Sequence, residues 1–166
     1  MTTVYFAGPD IFRPDYEEHS ARLRDLCART GLTALLPGDG HYRESRDIFQ
    51  HNLDLINRAD GLIANLNPFR SPVEPDSGTV FECAYAFARG KFVIGVLGDR
   101  RPLLSRLPNR SPEAGPICPG GWRIEDFGLP LNLMLCHCLN ATAADFPEAV
   151  ALAAGGPLPA GPGSIR

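Results

Sequence analysis

The sequence lacks a surplus of basic residues. Among its 166 residues, 16 are Lys or Arg and 19 are Asp or Glu, which gives a formal charge of −3 and a pI near 5.8. Proteins that bind a nucleic-acid backbone do so with a basic face, so this balance argues against nucleic acid as the main partner. The length suits one domain whose core needs no disulfide or metal for stability.

Targeting segments are also lacking. No apolar run is long enough to span a membrane. The N-terminal segment "MTTVYFAGPD" has no basic region before its apolar residues, as a secretory signal would, and leads directly into a predicted strand. We therefore expect a cytoplasmic enzyme or binding protein that does not associate with membranes.

The cysteines lack the spacing of a structural metal site. There are 5, an odd number that favours free thiols over a disulfide framework. The "CHC" run at 136–138 is the strongest metal candidate, but a zinc site needs two closely spaced pairs of ligands. Cys118 and His41 are too isolated in the sequence to supply the second pair. We expect no metal and no cofactor.

The chain alternates between short apolar runs and amphipathic segments, and it has no internal repeat. Strands are predicted for "TVYFAG", "LTALLP", "GLIANL" and "FVIGV", with a last strand and helix within 139–154. Helices are predicted from Pro14 to Thr30, over 45–59, from Gly78 to about Arg89, and within "LPLNLMLCHC". This β-α-β order predicts an α/β fold, a doubly wound parallel sheet of about five strands with helices on both faces.

One long segment breaks the alternation. Residues 98–128 are rich in Pro, Gly, Arg and Ser and show neither a helical nor a strand period, as expected for a functional flap. We expect residues 1–154 to form a single domain that contains this flap. The Pro/Gly-rich tail, 155–166, is predicted to be disordered.

Acidic residues follow three predicted strands. Asp10, Asp39 and Asp76 come after the first, second and third strand, at the sheet edge where parallel α/β proteins bind ligands. The loops contain neither G-x-G-x-x-G nor G-x-x-x-x-G-K-[ST], and an acidic rim repels phosphate. Carboxylates accept hydrogen bonds from sugar hydroxyls and base N–H groups, so a neutral nucleoside is the better match.

Glu82 stands among apolar residues in the first turn of its predicted helix. One explanation is structural, because the helix dipole and free N–H groups stabilise negative charge there. The other is catalytic, because retaining glycosidic chemistry uses a carboxylate to attack the anomeric carbon. A tyrosine hydroxyl can orient such a nucleophile, and Tyr5 lies in the first predicted strand.

Four segments together resemble the nucleoside 2-deoxyribosyltransferase family: "VYFAGPDIF", "NLDLINRADGLIANLNPF", "DSGTVFECAYAFARGK" and "GLPLNLML". They occur in order over roughly residues 3–140. The resemblance implies a flavodoxin-like fold and the transfer of 2-deoxyribose between nucleobases through a covalent glutamate intermediate. It further implies small-molecule partners, namely deoxyribonucleosides and free nucleobases.

The resemblance assigns catalytic roles to three residues. Glu82 stands at the position of the family's nucleophile, and Tyr5 at that of the tyrosine which holds it. Asp76 matches the aspartate that contacts the substrate and takes part in proton handling at the base.

It also assigns substrate-binding roles. Asn132 resembles the asparagine that a neighbouring subunit lends to bind the sugar 5′-hydroxyl, with Met134 nearby, which implies a homo-oligomer built from dimers. Asn52 aligns with a position that is often an aspartate facing the base. The remaining candidates for substrate contact are Gly8, Asp10, Phe12 and Asp39. The "AGPDIF" loop and the long flap favour purines.

Each assignment has a structural alternative. Tyr5 and Phe12 could simply pack, Asp76 and Asn132 could cap helices, and Asp10 and Asp39 could stabilise turns. His41 and His51 are expected to be solvated or structural. At the level of function, the alternatives are an N-glycosidase of nucleoside 5′-monophosphates with the same fold, and a non-catalytic nucleoside-binding sensor.

Overall fold

The computed structural model describes residues 1–40, 42–110, 113, 115–156 and 158. His41, three residues of the 98–128 segment and nine of the twelve residues of the 155–166 tail, which is predicted to be disordered, lie outside the described residues. The strands are β1 Thr3–Ala7, β2 Thr33–Leu35, β3 Gly61–Asn65, β4 Phe92–Val96 and β5 Ala141–Ala143. The helices are α1 Tyr16–Arg29, α2 Ser45–Arg58, α3 Ser77–Ala88, α4 Leu103–Arg106, α5 Leu133–Cys138 and α6 Phe146–Ala154.

The strands form one five-stranded sheet in the order β2-β1-β3-β4-β5, and every neighbouring pair is parallel. The order reverses at β1, because the chain passes from β1 to β2 on one side and to β3 on the other. This is the flavodoxin-like, doubly wound order. It confirms the predicted α/β fold.

Alternation along β1 assigns side chains to opposite faces of the sheet. Val4 and Phe6 pack in a core with α1 and α6, whereas Tyr5 and Ala7 pack in a second core with α2, α3 and α5. Successive side chains of a strand point to opposite faces, so this separation follows from the strand geometry. Tyr5 therefore faces the layer that contains α3. Helices cover both faces of the sheet, as predicted.

Most boundaries differ from the prediction by one or two residues, and one differs by more. The helix predicted within "LPLNLMLCHC" begins only at Leu133, because the Asn132 side chain caps it by accepting a hydrogen bond from the Met134 N–H at 3.0 Å. Strand β2 is shorter than predicted and ends at Leu35.

The 98–128 segment contains more regular structure than its composition predicts. One helical turn, α4, lies near its start, and isolated antiparallel bridges join Ile117 to Arg110 and to Arg123. Val73, Leu103 and Ile124 form a small hydrophobic cluster separate from the two main cores. Within the part of the chain that the structure describes, no helix has both the length and the apolar composition needed to cross a bilayer.

Candidate active site

A cavity of about 410 Å³ opens at the carboxyl edge of the sheet. It lies where the loops after β1 and β2 meet the N-terminal half of α3, beside the point where the strand order reverses. This is the edge at which the sequence predicts the site. The lining residues are Gly8, Ile11, Phe12, Pro37, Gly38, Gly40, Tyr42, Ile48, Asn52, Asp76, Gly78, Thr79 and Glu82.

Tyr5 and Glu82 meet at the base of this cavity. The Tyr5 hydroxyl donates a hydrogen bond to Oε1 of Glu82 at 2.8 Å. Tyr5 is fully buried, and strand pairing on both sides of β1 fixes its backbone. The hydroxyl is consequently a rigid donor that orients a partly exposed carboxylate.

Asn52 approaches the same carboxylate oxygen from α2. Its Nδ2 lies 3.5 Å from Glu82 Oε1, at the long limit of a hydrogen bond. Both donors therefore engage Oε1, and Oε2 receives no hydrogen bond from the described residues. A carboxylate held at one oxygen and free at the other has the form that a nucleophile requires.

Asp76 is the N-cap of α3. Its Oδ2 accepts hydrogen bonds from the Thr79 backbone N–H at 2.9 Å and from the Thr79 hydroxyl at 3.0 Å. Oδ1 receives none from the part of the chain described, although Asp76 lines the cavity. One oxygen thus anchors the side chain while the other is left for a ligand, so capping and ligand contact are compatible.

The pKa of Glu82 is raised from 4.5 to about 7, first by burial and then by the charge of Asp76, while the hydrogen bonds from Tyr5 and Asn52 lower it. The position of Glu82 in the helix lowers its pKa less than the sequence indicates. Helix α3 begins at Ser77, so Glu82 lies in the second turn, where the dipole effect is weak. The interpretation that a first-turn position keeps Glu82 ionised is therefore wrong. Its ionisation depends on its two hydrogen-bond donors.

The pKa of Tyr5 is raised above its ordinary value by burial and then by the charge of Glu82. The phenol therefore stays protonated at neutral pH. It can donate a hydrogen bond but cannot act as a base.

The outer wall of the cavity is aromatic. Phe12 is 60% exposed and stacks on Phe69, with ring centroids 5.7 Å apart and an interplanar angle of 11°. The guanidinium of Arg70 lies 5.1 Å from the Phe12 centroid and 4.5 Å from that of Phe69. A large exposed aromatic face beside a carboxylate provides a surface on which a flat, polar ligand can stack.

Two predicted substrate contacts do not line the cavity. Asp39 accepts hydrogen bonds from the Leu36 N–H at 2.9 Å and from the Arg24 guanidinium. The bond to Leu36 stabilises the turn after β2, which is the structural alternative for this residue. Asp10 accepts a 2.8 Å hydrogen bond from Asn65 Nδ2. Both carboxylates are therefore hydrogen-bonded to other residues of the protein, Asp39 to Arg24 of α1 and Asp10 to Asn65 of β3.

Asn132 and Met134 also lie away from the cavity of their own subunit. Asn132 caps α5 and donates from Nδ2 to Glu125 Oε1 at 2.5 Å, and Met134 is 74% exposed. Both line a separate, largely apolar cavity of about 580 Å³ between α3 and α5. The expected role of these two residues concerns a neighbouring subunit. Both side chains are exposed, and both polar atoms of the Asn132 amide are hydrogen-bonded within their own chain.

No group of three or more His, Cys, Asp or Glu side chains in the described ranges has an arrangement suited to a metal ion. The thiols of Cys136 and Cys138 donate to the backbone carbonyls of Leu131 and Leu135. His51 does not line the cavity, and its ring packs against Tyr42 with centroids 4.6 Å apart.

The sequence did not identify several lining residues. Tyr42 comes from the β2–α2 connection, Ile48 from the first turn of α2, and Thr79 lies one turn before Glu82 in α3. The available signal is their position after a predicted strand or within the helix that contains Glu82. The charge of Asp39, which follows the same strand as Tyr42, is the stronger signal in the sequence.

Comparison with known proteins identifies the family. Residues 4–134 match the family described as nucleoside 2-deoxyribosyltransferase. A solved structure, the 2-desoxiribosyltransferase from Leishmania mexicana, is 38% identical, with a TM-score of 0.71 over 81% of this chain and 85% of that chain. An uncharacterized protein of Schizosaccharomyces pombe is 34% identical over 107 residues, which are 59% of this chain and 51% of the relative. The chain thus spans about half the length of that curated relative.

Two more distant structures share the fold. A 2-deoxyribosyltransferase from Bacillus psychrosaccharolyticus is 17% identical with a TM-score of 0.57, covering 90% of both chains. A CMP N-glycosidase from Clostridium botulinum is 17% identical with a TM-score of 0.51, covering 90% of this chain and 94% of that chain. The same fold therefore occurs in a 2-deoxyribosyltransferase and in an N-glycosidase. By the match over residues 4–134, this chain belongs to the nucleoside 2-deoxyribosyltransferase family.

Proposed function

We propose that this protein exchanges the nucleobase of 2′-deoxyribonucleosides, with purines favoured, through a covalent deoxyribosyl intermediate on Glu82. In the first step the free Oε2 attacks the anomeric carbon, the bond from that carbon to the base nitrogen breaks, and the base leaves with the bonding electrons and a proton. In the second step a nitrogen of another base attacks the same carbon and releases the Glu82 carboxylate. Two displacements retain the stereochemistry.

The bonding of Glu82 is the observation that carries this proposal. Two donors hold Oε1, while Oε2 has no donor among the described residues. A structural carboxylate would be expected to use both oxygens. Donors that stabilise the anion also make it a good leaving group in the second step, because they favour its ionised form.

Asp76 and Phe12 complete the base side of the site. The free Oδ1 of Asp76 is the group we assign to proton exchange with the departing and arriving base. Phe12 supplies the stacking face. Asn52 has an amide where the family often has an aspartate, so it can hydrogen-bond the substrate but cannot donate a carboxyl proton.

We further propose that two subunits share each site. Asn132 and Met134 line the α3–α5 cavity, whose other members include Val80, Ala84 and Phe87. An exposed apolar surface of this kind favours contact with another protein. A second copy docked there would bring its own Asn132 towards the neighbouring nucleophile, which supports a homo-oligomer built from dimers.

Incubation with deoxyinosine, with and without adenine, tests the proposal. We expect deoxyadenosine and hypoxanthine only when adenine is present. Release of free base and sugar 5′-phosphate from nucleoside 5′-monophosphates would instead indicate the N-glycosidase. That alternative is disfavoured because Arg13, in the loop after β1, pairs with Asp15 at 2.9 Å and does not line the cavity. Binding without turnover would indicate a nucleoside sensor.

A further inference from the structure

Three polar side chains form a relay beside the cavity. The Asn67 Nδ2 donates to Asn65 Oδ1 at 2.8 Å, and the Asn65 Nδ2 donates to Asp10 Oδ2 at 2.8 Å. The Gly98 backbone N–H closes the far end by donating to Asn67 Oδ1 at 2.9 Å. We call Asp10, Asn65 and Asn67 the Asp10 relay.

The relay crosses the carboxyl ends of three strands. Asp10 follows β1, Asn65 ends β3 and Asn67 follows it, and Gly98 follows β4 at the start of the 98–128 segment. It therefore connects the carboxyl ends of β1, β3 and β4 through side chains. None of its three members lines the cavity.

The strand-one loop approaches Asn65 closely. A Cβ at Gly8 would lie 2.8 Å from Asn65 Cβ and 2.8 Å from Asp10 Oδ2. Only glycine allows this approach, because such contacts are well inside van der Waals distance. Gly8 thus permits the relay to form, in addition to lining the cavity.

Asp10 lies within the 3-10 turn Pro9–Phe12, which also carries Ile11 and Phe12 of the cavity wall. A second contact with the β3–α3 connection holds the same turn, where Phe69 and Arg70 pack on Phe12. Arg70 adopts a left-handed φ of 54°, which costs energy for a residue with a side chain. The turn is therefore held at two points, by Asn65 at the end of β3 and by Phe69 and Arg70 in the β3–α3 connection.

The direction of the relay is determined at Asp10. A carboxylate only accepts hydrogen bonds, so Asn65 must point its NH₂ towards Asp10 and its carbonyl towards Asn67. The second oxygen of Asp10 lies 3.5 Å from His19 Nε2. Burial lowers the pKa of His19, and its Nε2 makes no hydrogen bond to the described residues, so Asn65 is the principal donor to Asp10.

We propose that Asn65 and Asn67, acting through Asp10, are positioning residues that set the base-binding wall against the nucleophile. The inference rests on the proposed function, since it takes the wall formed by Ile11 and Phe12 to contact a nucleobase. It assigns Asp10 a task other than direct contact with the base. It also makes the β3–α3 connection part of substrate recognition.

An exchange of the two side chains tests the relay. Asn65→Asp places two carboxylates face to face, and we expect the Kd for deoxyinosine to rise at least about tenfold, since the hydrogen bond to a charged group is lost and repulsion replaces it. Asp10→Asn combined with Asn65→Asp restores one donor and one acceptor, and the new carboxylate still accepts from Asn67. We expect this double variant to bind within about threefold of the parent.

Binding is measured by calorimetry in a Glu82→Ala background, so that the nucleoside is not consumed. Asn57→Asp is the matched control, because it makes the same chemical change at an exposed residue of α2 whose Oδ1 accepts a 3.0 Å hydrogen bond from Tyr85 that an aspartate would keep. Melting temperatures are recorded for every variant. The relay predicts that the double variant recovers affinity as well as stability.

Three results overturn the inference. An unchanged Kd for Asn65→Asp, or a double variant that recovers its melting temperature without its affinity, means that the relay is structural only. A double variant that binds deoxyinosine as weakly as Asn65→Asp means that the direction of the hydrogen bond between residues 10 and 65 does not determine affinity. Base exchange by the wild-type chain is assayed in parallel, so the proposed function can stand when the relay fails. A chain that binds no nucleoside overturns both.

Discussion

The hydroxyl of Tyr5 and the carboxylate of Glu82 are joined by a 2.8 Å hydrogen bond across 77 positions of sequence. The bond links the interior strand β1 to α3, and Asn52 approaches the same carboxylate oxygen. It has two effects. It orients the second oxygen of Glu82, and it opposes the rise in the pKa of Glu82 that burial and Asp76 cause.

Tyr5→Phe removes the hydroxyl and keeps most of the ring's packing. The pKa of Glu82 should then rise further above about 7, because a bond that lowers it is lost. We expect kcat/KM near pH 6.5 to fall about 10- to 100-fold, with the acid limb of its pH profile displaced to higher pH. Tyr85→Phe is the control, since that hydroxyl bonds to Asn57 on the outer side of α3. An unshifted acid limb in Tyr5→Phe would show that this bond does not tune Glu82.

Glu82→Ala should abolish exchange while the fold is kept, because the side chain is partly exposed and contributes little to the core. Removal of a covalent nucleophile costs several orders of magnitude in rate. Wild-type protein quenched with donor alone should carry the deoxyribosyl group on the peptide containing Glu82, and initial rates should give parallel double-reciprocal lines. Retention of a tenth of the wild-type rate by the alanine variant would exclude the assignment.

Glu82 should make the protein less stable as the pH rises. Its pKa is about 7 in the folded state against 4.5 ordinarily, so between these values the folded state binds more protons than the unfolded state. The free energy of unfolding therefore decreases with pH across this window, by on the order of 3 kcal/mol in total. Glu82→Gln cannot ionise and should escape the loss.

Urea denaturation of wild type and Glu82→Gln from pH 4 to 8 measures this effect. The stability of the variant relative to wild type should grow from about pH 4.5 to about pH 7 and then level off. Other titrating groups, such as His19, are common to both proteins and cancel in the difference. A difference that stays constant with pH would mean that the pKa of Glu82 is not raised.

A shared site predicts complementation between inactive variants. Glu82→Ala and Asn132→Ala should each be severely impaired, and mixing them under conditions of subunit exchange should restore activity. In a two-fold pair reassorted at equal ratio, about a quarter of the sites should contain both native residues, by the symmetry of an isologous contact. Dilution through the dissociation range should lower wild-type activity for the same reason. If confirmed subunit exchange restores nothing, Asn132 acts within its own chain.

The sequence predicted the sheet well because its signals are local. Apolar runs alternate with amphipathic segments, and the crossover rule then leaves little freedom of topology. The meeting of Tyr5, Asp76 and Glu82 followed from the same topology, since all three belong to elements that converge at one sheet edge.

The roles of individual acidic residues were harder to predict because their partners are distant in sequence. Asp39 is paired with Arg24 from α1, and Asp10 with Asn65 from β3. Neither pairing has a local pattern. The raised pKa of Glu82 has no local sequence pattern either, because the burial that raises it depends on how α2, α3 and β1 pack together.

The small cluster of Val73, Leu103 and Ile124 has a consequence for hydrogen exchange. Three buried side chains stabilise a segment far less than the two main cores do, so we expect this region to open as a separate cooperative unit while the sheet remains intact. Glu125 belongs to that unit, and its carboxylate accepts hydrogen bonds from the Asn132 side chain and from the Leu133 N–H. Each local opening therefore releases Asn132 from its own subunit, and exchange of the Leu133 amide reports how often that release occurs.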